Sequence, residues 1–342
     1  MPAAGLTTRP SADLTTRGRP ERGQTLPEPQ TRLTVKDFPT LAADQIGRHA
    51  VIALYEELTL YPKPGLVSRV DSGSHADMNA GTFLRSLFSL RRYFPALVRL
   101  GASGAPFTDL QAYGIVAEAR MLETTGGVNT HRGAVFLLGL LCASAGASLA
   151  SGEPLRVSTL PTALLHHWGT ALAAHAAVRR DLPGSIAARQ YGLRSAAQEA
   201  ALGFPVLFEH VLPALQAGLR CGLSPALARL DALFTAIVHL DDTNLARRGG
   251  TAGLAYARDA AHGFLAAGGA GRDGGLAAAL ELHREFVSKR LSPGGAADML
   301  AAACWLVRLE TAGLATAAAP PSCGADFSFR TIWPRSTVNE WA

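Results

Sequence analysis

Charge is what this sequence has least of. Only 17% of its residues are Asp, Glu, Lys or Arg, against about 25% in an ordinary soluble protein, and just three of them are lysines (Lys36, Lys63 and Lys289). Strand formers are scarce too: Ile occurs six times in 342 residues and aromatic residues make 7%, which argues against a sheet. Hydrophobic residues make 48%, mostly Ala and Leu, so the composition excludes a wholly disordered chain and points to an all-α protein. The four cysteines (Cys142, Cys221, Cys304 and Cys323) lie far apart, with no CxxC and no Cys/His cluster at zinc spacing. Three sit among apolar residues, as buried reduced thiols do, which fits a cytoplasmic protein. The first residues contain no apolar run of the kind a secretory signal needs. The net charge of +5 does not indicate a nucleic-acid partner: residues 1–36 hold six Arg/Lys and three Asp/Glu, so +3 resides there. The remainder carries no basic stripe with interleaved aromatics.

Residues 1–40 are rich in Pro, Thr and Arg without periodicity and read as a disordered extension. From about Leu314 to Ala342 the chain turns Ala/Pro-rich and irregular, a loosely ordered tail. Residues 41–313 form the body, one large helical domain of about ten helices. Ile46, Ala50, Leu54 and Leu58 recur every four residues over a first helix at 42–58, stopped by Pro62 and Pro64. Further helices are predicted from Met78 to before Pro95, then at 109–123, 134–150, 159–178, 185–201, 206–219, 225–240, 250–267, 275–289 and 295–312. Gly133–Gly152 is uncharged over about the length of a membrane span. It reads as a core helix, apolar all round, and no membrane partner is expected.

The chemistry lies in four polar joints between helices: Glu57–Arg69 with Asp71–Met78, Gly126–Gly133, Asp241–Gly250 and Lys289–Asp298. In three of them a Gly-containing turn with a cationic side chain opens directly onto a helix. The free N–H groups and positive dipole end of a helix start favour an anion, Gly lets a phosphate approach the backbone, and Lys or Arg adds charge-assisted bonds. Three such turns in one chain point to a ligand with several phosphates. None is a Walker A motif.

The acidic residues give a second argument. Asp241 and Asp242 follow the predicted 225–240 helix, where the negative dipole end disfavours them. With Asn244 they form a hard-oxygen set suited to Mg²⁺ bridged to phosphates. His75 and His131 sit inside polar turns, whereas His166, His167 and His175 lie along an apolar helix. No GxSxG, HExxH or GxGxxG is present.

At these residues the chain resembles a known family. YPKPGLVSRVDSGSHADM, GGVNTHRGA, DDTNLARRGG and LSPGGAADML are similar to the signature segments of the triphosphoribosyl-dephospho-CoA synthases, in the same order, from about Ala50 to Leu306. The resemblance implies an all-α fold. It also implies transfer of the triphosphoribosyl group of ATP to the 2′-hydroxyl of 3′-dephospho-CoA, with release of adenine. The product would be the prosthetic-group precursor of an acyl carrier protein, passed on by a holo-acyl-carrier-protein transferase. Tyr61 and Ser68 look more like the branch serving malonate decarboxylase than that serving citrate lyase. There are departures: Arg132 stands for a usual Lys, Arg247 for a common His and Ala296 for a common Ser, and Ala197-Gln198 occupies a place where an arginine near Glu199 is expected.

Glycosyl transfer of this kind passes through a cationic, oxocarbenium-like sugar. It needs a carboxylate beside the ribose, a base for the incoming hydroxyl and a proton donor for the leaving base. Asp242, Glu57, Asp71, His75, Asp77 and His131 are the catalytic candidates, with Asp71, Asp77 or Glu57 as base and His75 or His131 as acid. Lys63, Arg69, Arg132 and Arg248 suit the phosphates, together with Gly65, Asn129, Thr130, Gly133, Gly249, Ser292, Gly294 and Gly295 of the same turns. Asp241, Asp242 and Asn244 are the candidate Mg²⁺ ligands. Two other readings are a Mg²⁺-dependent N-glycosyl hydrolase of nucleotides and a nucleotide-binding regulator without catalysis.

Overall fold

In the computed structural model the described residues are 40–179 and 181–316; the predicted extension before Thr40 and most of the predicted tail lie outside them. All regular elements among them are helical, as the scarcity of strand formers implies: α1 (Thr40–Thr59), α2 (Ala80–Leu90), α3 (Tyr93–Ala102), α4 (Phe107–Thr125), α5 (Arg132–Ala150), α6 (Leu160–Ala177), α7 (Pro183–Tyr191), α8 (Ala196–Ala201), α9 (Leu212–Arg220), α10 (Pro225–His239), α11 (Thr243–Ala266), α12 (Gly275–Ser288) and α13 (Gly294–Thr311). At the end of the described chain Ala315 is buried and the Thr316 N–H donates to the Leu155 carbonyl at 2.7 Å.

Helix α5 is the centre of the packing. Leu137, Leu138, Leu140, Leu141, Cys142 and their neighbours are buried on nearly every side, against α3, α4, α6 and α13. Its length and apolarity would also suit a membrane span, but 72% of that stretch is buried inside the protein itself. Removing this apolar surface from water is the driving force here, at about 25 cal/mol per Å². Two glycines let α3 and α5 touch backbone to backbone. A Cβ on Gly101 would stand 1.9 Å from the Ala143 carbonyl oxygen, and one on Gly146 1.9 Å from that of Val98. Helix α13 closes the other side, with Trp305 fully buried and its indole N–H donating to the Ile46 carbonyl of α1 at 3.1 Å.

The start of α10 forms as read: Ser224 accepts the Leu227 N–H and Pro225 is the first helical residue, where a proline has no helical hydrogen bond to lose. Four expected helices differ, that at 250–267 at the site itself and three elsewhere. The one placed at 78–95 ends at Leu90, and Pro95 lies inside the next helix, α3. Being in the first turn, its missing N–H costs nothing, and its ring packs on Gly47 of α1. The segment 185–201 divides at Gly192, which adopts φ 65° and caps α7. The segment 206–219 begins as a π turn, Val206–Val211, before α9. Pro213 cannot donate to the carbonyl four residues back, so the regular ladder starts only there.

Gly101→Ala should lower stability by about 1–3 kcal/mol or more, because the new methyl must push α3 off the Ala143 carbonyl. Denaturant unfolding of this variant, beside Gly263→Ala at an exposed position of the later helix α11 where a Cβ meets nothing within 4 Å, measures it.

Candidate active site

Helix α11 begins at Thr243, seven residues before the predicted start, and kinks at Gly250, where φ 64° and ψ −162° leave the helical region. That early start reverses the electrostatics expected for Asp242. It is not a charge stranded behind α10 but the N-cap of α11: Oδ1 accepts the Asn244 N–H at 2.8 Å and the Leu245 N–H at 3.2 Å. Oδ2 accepts the Ala296 N–H at 3.0 Å, in the first turn of α13. One carboxylate, 1% exposed, thus caps two helices and pins their starts together. Burial pushes its carboxyl up from the usual range, opposed by the N–H groups of both helices.

The starts of α5, α11 and α13 open on one cavity of about 1020 Å³. All four joints contribute to it: His75 and Asp77 from the first, Asn129–Gly133 from the second, Asn244 and Arg248 from the third, Ser292, Gly294 and Gly295 from the fourth. Glu57 lines it from the last turn of α1.

Within the cavity Arg248 is a clamp. Its guanidinium donates to the Ser74 and Arg290 carbonyls at 3.1 and 3.2 Å and to His75 Nδ1 at 3.0 Å. A guanidinium only donates, so Nδ1 accepts, and Nε2 carries the proton and donates to Ser292 Oγ at 2.9 Å. Burial first, then the charge of Arg248, brings the His75 pKa down to about 4, so at neutral pH the ring is a neutral positioning group. His131 is deeper still. Nδ1 shares a 2.6 Å hydrogen bond with Ser86 Oγ, and burial with the charge of Lys63 lowers its pKa to about 3. Both of the rings offered as acid are thus held toward their neutral forms. His131 Nε2 and Thr130 Oγ1 are buried with no hydrogen-bond partner among the described residues. Both belong to residues lining the cavity, and buried polar atoms in that condition call for a ligand. Arg247, an exposed lining residue, makes no ion pair among the described residues. Arg132 lies against Glu118 at 2.8 Å.

Other candidates lie outside the wall. Lys63 is 1% exposed, its ammonium 2.5 Å from Glu57 Oε1 and 2.8 Å from the Glu57 carbonyl; burial lowers its pKa and Glu57 raises it. It therefore holds Glu57 from behind instead of reaching a phosphate. His283 Nδ1 donates to the Lys63 carbonyl at 2.5 Å and its Nε2 faces Asp71 Oδ2 at 3.1 Å. Asp71 is thus occupied behind the site, its Oδ1 accepting the Gly73 N–H. Arg69 is exposed, near Tyr55 Oη at 3.5 Å. Gly65 and Gly249 serve packing: a Cβ on Gly65 would lie 2.0 Å from the Leu291 carbonyl oxygen, and one on Gly249 2.6 Å from Leu291 Cδ2.

The set Asp241, Asp242 and Asn244 does not fit Mg²⁺. Asp241 pairs with Arg258 at 2.6 Å and accepts the Arg194 N–H at 2.8 Å, and both Asp242 oxygens are held by backbone N–H groups, so no open carboxylate oxygen faces a common point. The arginine missing near Glu199 is supplied by Arg194, at 2.8 Å from Glu199 Oε2, while Oε1 accepts the Val206 N–H; that carboxylate ties α8 to the π turn.

One lining residue was quoted at the end of a motif but given no role: Asp298. It projects from the second turn of α13 onto the start of α5, where it accepts the Ala134 N–H. A Cβ on Gly133 would meet its Oδ2 at 1.9 Å. Burial, then the charges of Glu57 and Asp242, raise its carboxyl well above the usual range. Its signal was its spacing, one turn past a Gly-Gly helix start.

The family model described as ATP:dephospho-CoA triphosphoribosyl transferase matches residues 43–316. The chain belongs to this family. It is 40% identical over 279 residues to a protein of Stutzerimonas stutzeri (strain A1501) named probable 2-(5″-triphosphoribosyl)-3′-dephosphocoenzyme-A synthase, covering 80% of this chain and 94% of that one. A protein of the same name from Pseudomonas aeruginosa (strain UCBPP-PA14) is 41% identical over 265 residues, 76% of this chain and 89% of that one. No solved structure matches. The matched region of this triphosphoribosyl transferase family member contains every joint described above.

Asp242→Asn should melt well below the wild type. An amide can accept on one side only and turns its NH₂ toward the N–H groups of the other helix, so at least one cap, worth about 0.5–2 kcal/mol, is lost. Calorimetric melting checks it; an unchanged melting temperature refutes the double cap. A second outcome follows from His75. The unfolded imidazole takes up a proton as pH falls below 6.5 but the folded one only near 4. Its share of stability is therefore complete above pH 6.5 and lost as pH falls toward 4. His75→Gln should lose less stability than the wild type between pH 7 and pH 5 in urea titrations.

Proposed function

We propose that the chain transfers the triphosphoribosyl group of ATP to the 2′-hydroxyl of 3′-dephospho-CoA and releases adenine. The observation that carries this reading is the convergence of three helix starts, with Arg247 and Arg248, on a cavity that also holds the carboxyl groups of Glu57 and Asp298. The helix starts and arginines favour a polyphosphate, and a carboxylate beside a sugar favours an oxocarbenium-like transition state.

In this reading Glu57, steadied by Lys63, faces the anomeric carbon as positive charge develops there. Asp298, uncharged at rest, gives its proton to the departing adenine. The resulting carboxylate takes the proton of the acceptor's 2′-hydroxyl as the new C–O bond forms. One proton is moved in each direction and the residue returns to its starting state. His75, Ser292, Asn129, Thr130 and the backbone of Gly133, Gly294 and Gly295 position the two substrates. Mg²⁺ bound to ATP would offset part of the triphosphate charge, and no residue of this chain is assigned to it. We place the reaction in the cytoplasm, where ATP is at hand. We assign the product to the malonate decarboxylase branch, through a holo-acyl-carrier-protein transferase, on the strength of Tyr61 and Ser68. These residues stand away from the cavity, Tyr61 edge-on to His283 and Ser68 accepting the Val70 N–H.

Incubation of the protein with ATP, Mg²⁺ and dephospho-CoA should release adenine only when the acceptor is present. Release without acceptor would establish the hydrolase reading, and no release the regulator. Asp298→Asn should lower kcat by about 10²–10⁴-fold, the scale of a lost general acid–base. Its melting temperature should hold, since an amide replaces an uncharged acid of the same shape; equal loss of folding would mark Asp298 as structural.

A further inference from the structure

The cavity has a second half that phosphate chemistry does not use. From the Arg132–Glu118 pair it continues along α4 and α5, lined by Gly114, Leu110 and Phe107 on one side and by Phe136 and Leu140 on the other. Along α4 the lining residues Glu118 and Phe107 stand eleven positions apart, about 16 Å of helix at 1.5 Å per residue, while Phe136 lies one turn into α5 from Arg132. An aromatic wall bridges the two helices: the His175 ring lies edge-on to Phe107 at 5.1 Å and stacks on Phe136 at 6.0 Å between centroids. A triphosphate would lose its hydration there without hydrogen bonds in return.

We infer that this arm receives the pantetheine chain of the acceptor, an inference that rests on the transferase reading above. The candidate occupants, two adenines and the pantetheine chain, differ in where they attach. The adenine of ATP is bonded to the reacting anomeric carbon and that of the acceptor to the ribose carbon next to the reacting 2′-hydroxyl, so both must lie close to the carboxyl groups of the polar half. The pantetheine chain is separated from the acceptor's ribose by a diphosphate, which the helix starts would hold, and so extends away from the reacting centre. Its three residue-sized units reach on the order of 12 Å when extended, which the arm accommodates. Its gem-dimethyl and methylene groups suit an apolar wall. The total volume, near the top of the range for a single small-molecule site, is that of a site for two substrates.

Gly114→Leu tests this by filling the arm. A Cβ there meets only Tyr93 Oη, at 3.6 Å, and Leu is the better helix former at a helical position, so the fold should stand. The probes are dephospho-CoA and ADP, which is the same molecule without the pantetheine, titrated calorimetrically into both proteins. The wild type should bind dephospho-CoA at least tenfold more tightly than ADP, and the variant should lose that advantage with its ADP affinity unchanged. Equal affinities in the wild type, or an advantage that survives in the variant, would overturn the assignment. In turnover the variant should raise KM for dephospho-CoA tenfold or more and leave KM for ATP within twofold; a rise in KM for ATP alone would mean that adenine occupies the arm. The titration needs no turnover. A wild type that releases no adenine yet shows the binding pattern would therefore refute the transferase reading and leave the arm in place.

Discussion

A single carboxylate fixes the geometry of this site. Asp242 spends one oxygen on the first turn of α11 and the other on the first turn of α13, so two segments about fifty residues apart in sequence share one anchor. The free N–H groups of a helix start are orphans that some acceptor must satisfy. Using one buried acceptor for two helices makes their relative position as rigid as a carboxyl group. Gly295 allows it, since a Cβ there would crowd Asp242 Oδ2 at 3.1 Å. The Gly294 N–H donates to the Ser292 carbonyl and the Ala297 N–H to that of Pro293, so the first turn of α13 is satisfied within the fold, and what the two helix starts offer the cavity is the positive end of their dipoles.

The same economy governs the acidic side. The charges of Glu57 and Asp242 reach Asp298 closely enough to raise its carboxyl further above the usual range than burial alone, and Lys63 is the buried cation paired with Glu57. Charges of like sign in a poorly solvated space do not all ionise. Asp298 is the group driven toward its neutral form, by burial and then by the charges of Glu57 and Asp242, while Glu57 is paired with Lys63. A carboxyl group pushed toward its neutral form beside an ion-paired one is an arrangement that suits acid–base chemistry at a sugar centre. Burial and nearby cations hold His75 and His131 toward their neutral forms, and the hydrogen bonds of His75 to Arg248 and Ser292 and of His131 to Ser86 fix the two rings in place.

How much of this was legible in the sequence depended on which property was asked of it. The helices were legible because Ala/Leu periodicity and clear stops such as Pro62 and Gly126 set them out. The joints were legible because polar residues concentrated between apolar helices have few structural reasons to be there. What periodicity could not show was direction and depth. Gly249-Gly250 reads as a helix start, yet Asp242 begins the helix earlier and Gly250 merely kinks it, so the dipole argument for Asp242 took the wrong sign. Lys63 reads as a phosphate-binding cation beside two prolines; only the packing of α12 through His283 shows that it is buried against Glu57. Asp298 carries no role in the sequence reading because its contact with the start of α5 joins segments far apart in the chain.

The two halves of the cavity bear on the choice between transfer and hydrolysis. An oxocarbenium-like sugar reacts with whichever oxygen is nearest, and water is always the more abundant. A polar pocket built from helix starts would admit water freely, and its charges would be weakened by that solvent. An apolar arm adjoining it changes the balance. When a long acceptor fills the arm, its ribose hydroxyl is held at the reacting carbon as an effectively intramolecular nucleophile, and the chain itself closes the route by which water enters. Binding energy collected along α4, away from the chemistry, then goes into positioning the hydroxyl and excluding its competitor, in the manner of remote binding energy generally. Selectivity for an alcohol over water therefore depends on the residues lining α4 and α5 as much as on the carboxyl groups at the reacting centre.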